Sequence, residues 1–327
     1  MSQLYFEIDL DRLRDSVDVV DDGVLDGRAV AKGVEEQVAY GVEKLRARGI
    51  IPHLAVIRAG DNAASEIYVR QKMKSCERLG MESSHIHLSG DLEAETLYRR
   101  IDALTEDDGI HGTLVQVPLP GHLDEHQFLE YVDPQKDVDG FHPRNLGCLM
   151  AGFSQLEPCT PRGIMTMLCA AGVEPRGKRA VVVGRSRIVG RPMAQMLMRA
   201  DATVTVCHRH TGDLAEHVSK ADIVVVATGV PHLVKGDWIK DGAVVIDVGI
   251  TREEGGNLVG DVEFRKAREH ASVITPVPGG VGPMTVATLM QNTVVAACWQ
   301  NGLQFVDGQL ERVDGADGPR EHIRRSG

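Results

Sequence analysis

"KRAVVVGRSRIVGRPMAQML" (Lys178–Leu197) is the stretch that decides the fold. It opens on a β-branched run, passes through a glycine-bracketed turn and closes on apolar residues at helical spacing, so it reads as strand, turn and helix. Gly184 and Gly190 bracket Arg185, Ser186 and Val189. Glycine lets the backbone approach a ligand closely, and the amides of a helix start can receive a phosphate. The spacing is not G-x-G-x-x-G, so its weight comes from context. It begins a series of five apolar runs, "KRAVVVG", "ATVTVCH", "ADIVVVATG", "AVVIDVG" and "SVITPVPGG". These are expected to be buried strands with short helices between the first few, a nucleotide-binding pattern, against the plainer reading of a tight turn.

The second run ends in "TVCHRHT", where NAD-binding folds usually carry an acidic residue for the ribose hydroxyls. Here Arg209 stands instead, and Arg185 sits in the glycine turn. Two guanidiniums without a carboxylate favour the 2′-phosphate of NADP. The competing reading leaves Arg209 and His210 as solvated loop residues.

Toward the N-terminus the same alternation holds. Val30, Val34, Val38, Val42 and Leu45 form one helical stripe ended by Gly49, and "HLAVIRAG" follows as a strand. Asp61 is the expected N-cap of the next helix, which Gly80 stops. "SSHIHLSG" and "HGTLVQVPLP" read as strands, "LEAETLYRRIDALTE" and "DEHQFLEYV" as helices. Strands alternating with helices imply an α/β fold with a mostly parallel sheet. After "PCTPRG", Thr160 is expected to cap a helix with Pro161 at its first position. A long apolar helix beginning at Pro283 is expected to pack back on the first domain. The expected order is an extension (1–24), a catalytic α/β domain (25–150), a Rossmann-like domain (151–282), the returning helix (283–305) and a loosely docked polar tail (306–327).

Composition sets limits. The chain has 327 residues, 43% hydrophobic and 25% charged, as an ordinary two-domain globular protein would have. Its net charge of -11 argues against a broad nucleic-acid footprint. No apolar run approaches the about 20 residues a membrane span needs, and the acidic N-terminus is unlike a targeting segment. Six scattered cysteines without a C-x-x-C pair point to reduced thiols and a cytoplasmic protein, and the histidine pairs at 85/87 and 208/210 lack a carboxylate or thiol cluster, so no metal is expected.

Candidate chemistry lies elsewhere. "SEIYVRQKMKSCERLG" puts Ser65, Tyr68 and Lys72 on one helical face, either a solvated stripe or the edge of a site. Gln116 ends an apolar strand, where an amide is costly unless partnered. Asp137 and Asp139 flank a turn at Gly140, and "TPVPGGVGPMT" could be backbone punctuation alone.

In their order and wording these motifs resemble the bifunctional methylenetetrahydrofolate dehydrogenase/methenyltetrahydrofolate cyclohydrolase family over about residues 25 to 303: "DNAASEIYVRQKMKSCERLG", "GTLVQVPLP", "KDVDGFHPRNLG", "PCTPRG", "VVGRSRIVGRPMA", "ADIVVVATG", "VVIDVG" and "TPVPGGVGPMT". "HRHT" departs from the Ser followed by Lys or Arg usual there. The resemblance implies hydride transfer from 5,10-methylenetetrahydrofolate to NADP+, then hydrolysis to 10-formyltetrahydrofolate. It implies Lys72 as general acid/base, with Gln116 orienting its amine without a counter-charge and Tyr68 beside the folate. Ser65 would support these two, Asp137 the loop, and Asp139 would accept from the pterin N–H groups. Gly279, Gly280 and Pro283 would border the folate. Thr228, Gly229, Ile250 and Thr285 would join Gly184, Arg185, Ser186, Val189, Gly190 and Arg209 in binding cofactor. A homodimer is expected. A dehydrogenase lacking the second activity and a non-catalytic NADP-binding sensor remain as alternatives.

Overall fold

The computed structural model describes residues 6–16, 19–306 and 308–313. The chain falls into two compact units, one built on Val38–Val138 and the chain from Met290 onward, the other on Ile8–Gln37 and Asp139–Leu289.

In the first unit three parallel strands lie in the order Glu82–Leu88, His53–Ala59, Gly112–Gln116. The middle strand is buried almost throughout. Ala55, Ile57 and Ala59 meet Leu97, Ile101 and Leu104 of helix Ala94–Glu106, together with Val115 and Phe128. The first crossover runs to one side of the middle strand and the second to the other, so right-handed connections put helix Ala63–Arg78 on the opposite face. Arg58 and Gln116, paired in register, share that face by the two-residue period of strands.

Helix Ala63–Arg78 is capped by Asn62, not Asp61. Gly60, at φ +77°, turns the chain out of the strand, which leaves Asn62 as the last extended residue with its side chain accepting from Ser65 N. Leu79 closes the helix and Gly80 takes φ +74°. The C-terminal part of helix Val281–Gln300 packs in this unit, where Asn292 donates to the Val138 carbonyl at 2.8 Å and Gln300 to that of His111 at 2.7 Å. The helix starts two residues ahead of the expected Pro283, which falls in its first turn, where no amide is missed. Beyond it Leu303–Val306 and Gln309–Arg312 form a hairpin, so the start of the polar tail is paired instead of loosely docked, and the rest of that tail lies outside the described residues.

In the second unit the strands run in the order Thr203–Cys207, Arg179–Val183, Ile223–Val226, Val244–Asp247, Val273–Ile274, then Val24–Leu25 and Val20–Asp21. All five strands of the second series are parallel. Their spatial order by chain position is 2-1-3-4-5, a doubly wound sheet whose direction of winding reverses between Arg179–Val183 and Ile223–Val226. One expectation fails here. Thr203–Cys207 is an edge strand with Thr203, Thr205 and Val206 exposed, because nothing pairs on its outer side among the described residues. Part of the expected N-terminal extension is built in as well: helix Leu10–Ser16 packs on helix Cys159–Ala170, and Val24 pairs with Ile274. That second helix begins at Cys159, so Thr160 and Pro161 sit inside its first turn, and the Thr160 hydroxyl meets Thr285 Oγ1 at 2.9 Å instead of capping.

Candidate active site

On the Arg58 face of the first unit, Lys72 Nζ donates to Gln116 Oε1 at 3.0 Å, and Gln116 Nε2 donates to the Val117 carbonyl at 2.7 Å. Gln116 is 8% exposed. Its amide is therefore fully oriented: the backbone takes the NH2 end, and the oxygen is left to face the amine. Desertion of either bond would cost about 1–3 kcal/mol, so Gln116 fixes where the lysine head rests. Tyr68 stands one turn before Lys72 and is 39% exposed. Ser65 is buried, but its hydroxyl has no hydrogen-bond partner among the described residues, so it does not brace Tyr68 or Lys72 through that atom.

Asp139, Gly279, Gly280 and Pro283 belong to the second unit. The Asp139 carbonyl accepts from Cys159 N at 3.3 Å. Its neighbour Gly140 has φ +77°, and a Cβ there would lie 2.5 Å from Pro158 N, so glycine is required. Gly279 has φ +109°, and the Arg28 guanidinium carbon lies 3.3 Å from where its side chain would begin. Gly27 presses its bare Cα against the Gly280 carbonyl. Asp137, in the first unit, is buried and bridges to Thr113.

The glycine turn lies where the doubly wound sheet reverses, the place where such sheets bind ligands. Gly184 N donates to the Cys207 carbonyl, and Ala227 N to that of Val183. Gly184 has φ +120°, and a Cβ would overlap the Ala227 carbonyl oxygen. A Cβ on Gly190 would overlap the Gly184 carbonyl. The turn is thus closed backbone to backbone. The helix-start amides, expected to receive a phosphate, are taken: Val189 N and Gly190 N donate to Ser186 Oγ, Arg191 N to the Ser186 carbonyl, Met193 N to that of Val189, and Pro192 has none. Ser186 acts as a cap, and Arg185, Arg191 and Arg209 are exposed cations, Arg191 Nε donating to the Arg185 carbonyl at 3.2 Å. Arg209 Nε donates to His210 Nε2 at 3.1 Å. Thr285 Oγ1 pairs with Thr160, and Ile250 is exposed.

Two carboxylates that the sequence did not single out organise the neighbouring loops. Asp261 Oδ2 accepts from Thr228 N, Thr228 Oγ1 and Gly229 N at 2.6, 2.9 and 2.9 Å. Asp247 accepts from Gly249 N, Asp261 N and Val262 N. Burial pushes the Asp247 carboxyl up to about 6, against the pull of those amides. Asp247 closes the apolar run "AVVID" and Asp261 follows a glycine after a short strand, and neither position carries a motif.

Two family models cover most of the chain: tetrahydrofolate dehydrogenase/cyclohydrolase, catalytic domain, matches residues 25–139, and tetrahydrofolate dehydrogenase/cyclohydrolase, NAD(P)-binding domain, matches residues 158–301. The chain is 53% identical over 275 residues to the bifunctional protein FolD of Magnetococcus marinus, covering 84% of this chain and 96% of that one. It is similar to the crystal structure of the bifunctional enzyme FolD, methylenetetrahydrofolate dehydrogenase/cyclohydrolase, from Campylobacter jejuni, with TM-score 0.82 and 47% identity over 83% of this chain and 97% of the other. It is also similar to the Trypanosoma brucei methylenetetrahydrofolate dehydrogenase-cyclohydrolase solved with NADP cofactor and inhibitor, with TM-score 0.80 and 43% identity over 84% and 96%.

Proposed function

This chain belongs to the tetrahydrofolate dehydrogenase/cyclohydrolase family, and from that premise we propose that Lys72, oriented by Gln116 and flanked by Tyr68, carries its hydrolytic step. The protein is a bifunctional enzyme that oxidises 5,10-methylenetetrahydrofolate with NADP+ and hydrolyses the 5,10-methenyl product to 10-formyltetrahydrofolate.

The observation that carries the proposal is the 3.0 Å bond from Lys72 Nζ to a Gln116 amide locked at its other end. In the hydrolysis, water adds to the methenyl carbon and gives up a proton. The bond from that carbon to N5 then breaks and N5 takes a proton, while the new hydroxyl gives up its own proton to solvent and becomes the formyl oxygen. An amine held in one place by a neutral acceptor is suited to take the first proton and return the second. Asp139 is assigned to the pterin N–H groups, for which a carboxylate is the matched acceptor, and Gly279, Gly280 and Pro283 to the backbone bordering the folate.

NADP+, when bound, supplies the hydride acceptor. The residues present fit it: a bare glycine turn at the sheet's switch point and the exposed guanidiniums of Arg185 and Arg209. Gly184 and Gly190, which close the turn backbone to backbone, and Ser186 and Val189 within it are assigned to cofactor binding. Arg185 and Arg209 are assigned to the 2′-phosphate, and Thr228, Gly229, Ile250 and Thr285 to the remaining cofactor contacts. Arg209→Ser is expected to lower kcat/KM for NADP+ by about 10- to 100-fold, the value of a lost charge-assisted contact, and to spare NAD+ turnover. An unchanged ratio of the two cofactors would remove Arg209 from the assignment.

We also propose a homodimer through the second unit. Supporting it, the open edge of Thr203–Cys207 carries exposed Val206, with exposed Met198 on helix Gly190–Arg199, which packs beside that strand, and exposed Met150 on helix Pro143–Ala151, which packs on that helix. An open edge is self-complementary across a two-fold axis. Light scattering should give twice the chain mass for the wild type and a single-chain mass for Val206→Lys, and a monomeric wild type at micromolar concentration contradicts the proposal. Six free thiols support a cytoplasmic location. Cell fractionation that finds the protein outside the cytosol would reject it.

A further inference from the structure

We infer that Asp261, braced by Asp247, is a positioning residue for the dehydrogenase reaction: Asp261 holds the Thr228–Gly229 loop, and Asp247 holds the Gly249–Ile250 turn and the backbone of Asp261, at the carboxyl edge of the sheet in the arrangement that receives NADP+. The inference rests on the assignment of Thr228, Gly229 and Ile250 to cofactor binding.

Asp261 is fully buried, and so, nearly, is Asp247. A buried carboxylate is costly unless its hydrogen bonds repay the lost water, and a core needing only bulk would hold an apolar residue here. Between them the two carboxylates accept from the amides of Thr228, Gly229, Gly249, Asp261 and Val262, all of them on segments that follow strand ends. Asp261 fixes the loop after Ile223–Val226. Asp247 ends its own strand and fixes both the Gly249 turn that presents Ile250 and the backbone of Asp261. The chain therefore ties two loops of the cofactor edge to one buried pair.

Two glycines make room for this pair. A Cβ on Gly249 would overlap Asp261 Oδ1, and one on Gly260 would overlap Asp247 Oδ2. Neither glycine is in the left-handed region, so what they supply is space beside the carboxylates. Both carboxylates lie in the second unit, whereas Lys72 and Gln116 lie in the first. Loosening the pair is thus expected to separate the two activities.

The test uses Asp261→Ala, Asp261→Asn and Gly249→Ala in the full chain. Three quantities are measured on each: the Kd for NADPH by fluorescence titration, the KM for NADP+, and the hydrolysis rate of preformed methenyltetrahydrofolate without cofactor. For Asp261→Ala and Gly249→Ala, Kd and KM should rise by about 10- to 100-fold, the scale of a misplacement near 1 Å. Hydrolysis should stay within about twofold. Asp261→Asn should show the smaller rise, because its amide oxygen still accepts from Thr228 and Gly229. An unchanged NADPH Kd in Asp261→Ala overturns the inference. So does a parallel loss of NADPH binding and hydrolysis in Asp261→Asn and Gly249→Ala, which would mark the pair as general scaffolding. If Gly184→Ala also leaves the NADPH Kd unchanged, the cofactor assignment itself fails. If Gly184→Ala weakens binding and Asp261→Ala does not, only the role of Asp261 is lost.

Discussion

Lys72→Met should lower the hydrolysis of methenyltetrahydrofolate by about 100- to 10,000-fold, the range a positioned general acid/base contributes, while hydride transfer to NADP+ falls far less. Methionine keeps the length and loses the amine. It also leaves Gln116 Oε1, on a nearly buried side chain, without its donor, a cost of about 1–3 kcal/mol that the fold must absorb. Dehydrogenase turnover in the same preparation reports whether the fold absorbs it. Hydride transfer needs two bound molecules held in register and no proton transfer by the protein, so nothing in its chemistry calls on an amine. The loss of methenyl absorbance measures the first rate and NADPH formation the second. Equal losses in both would mean that Lys72 holds the folate or the structure instead of moving protons.

Gly184→Ala is expected to act in the opposite sense. The residue needs φ +120°, and its Cα faces the Ala227 carbonyl across the switch point with no space for a methyl group. The strand ends after Val183 and Val226 must then move apart, and the turn between Gly184 and Gly190 must open. Displacement near 1 Å at such a place is worth about 100-fold, so NADP+ turnover and NADPH binding should fall by at least that amount. Hydrolysis of methenyltetrahydrofolate should continue, because Lys72 and Gln116 are built on the other sheet. Isothermal titration with NADPH measures the effect. Wild-type affinity in this variant would mean that the cofactor does not use the turn.

What was legible in the sequence follows from how local each cause is. The stripe of Val30, Val34, Val38, Val42 and Leu45 is buried as its period requires, and the five strands from Arg179–Val183 to Val273–Ile274 fall on the five apolar runs. Lys72 and Gln116 were each recognisable by type, one on a polar helix face and one as an amide among apolar neighbours, and the structure joins them by a hydrogen bond. Adjacent Asp61 and Asn62 are both good caps, and only the turn at Gly60 chooses between them. "TVTVC" has the composition of a buried strand, yet being an edge is a property of the whole sheet. The pairing of Val24 with Ile274 spans most of the chain and leaves no local mark. Ser186 looked like part of a phosphate cradle because its hydroxyl and the helix amides are adjacent, and that same adjacency lets it satisfy them first. Asp247 and Asp261 were hidden because one ends an apolar strand run and the other follows a strand, where an aspartate normally signals a turn, and most of their partners are amides distant in the sequence.

The central claim is that one chain carries two chemistries on separately built residues, and mixing the two variants tests it most directly. Lys72→Met and Gly184→Ala, combined in equal amounts with methylenetetrahydrofolate and NADP+, should together form 10-formyltetrahydrofolate well above the spontaneous rate. Lys72→Met alone should stop at NADPH and accumulating methenyltetrahydrofolate, and Gly184→Ala alone should form almost none of either. A mixture that yields no more formyl product than Lys72→Met by itself would contradict the account.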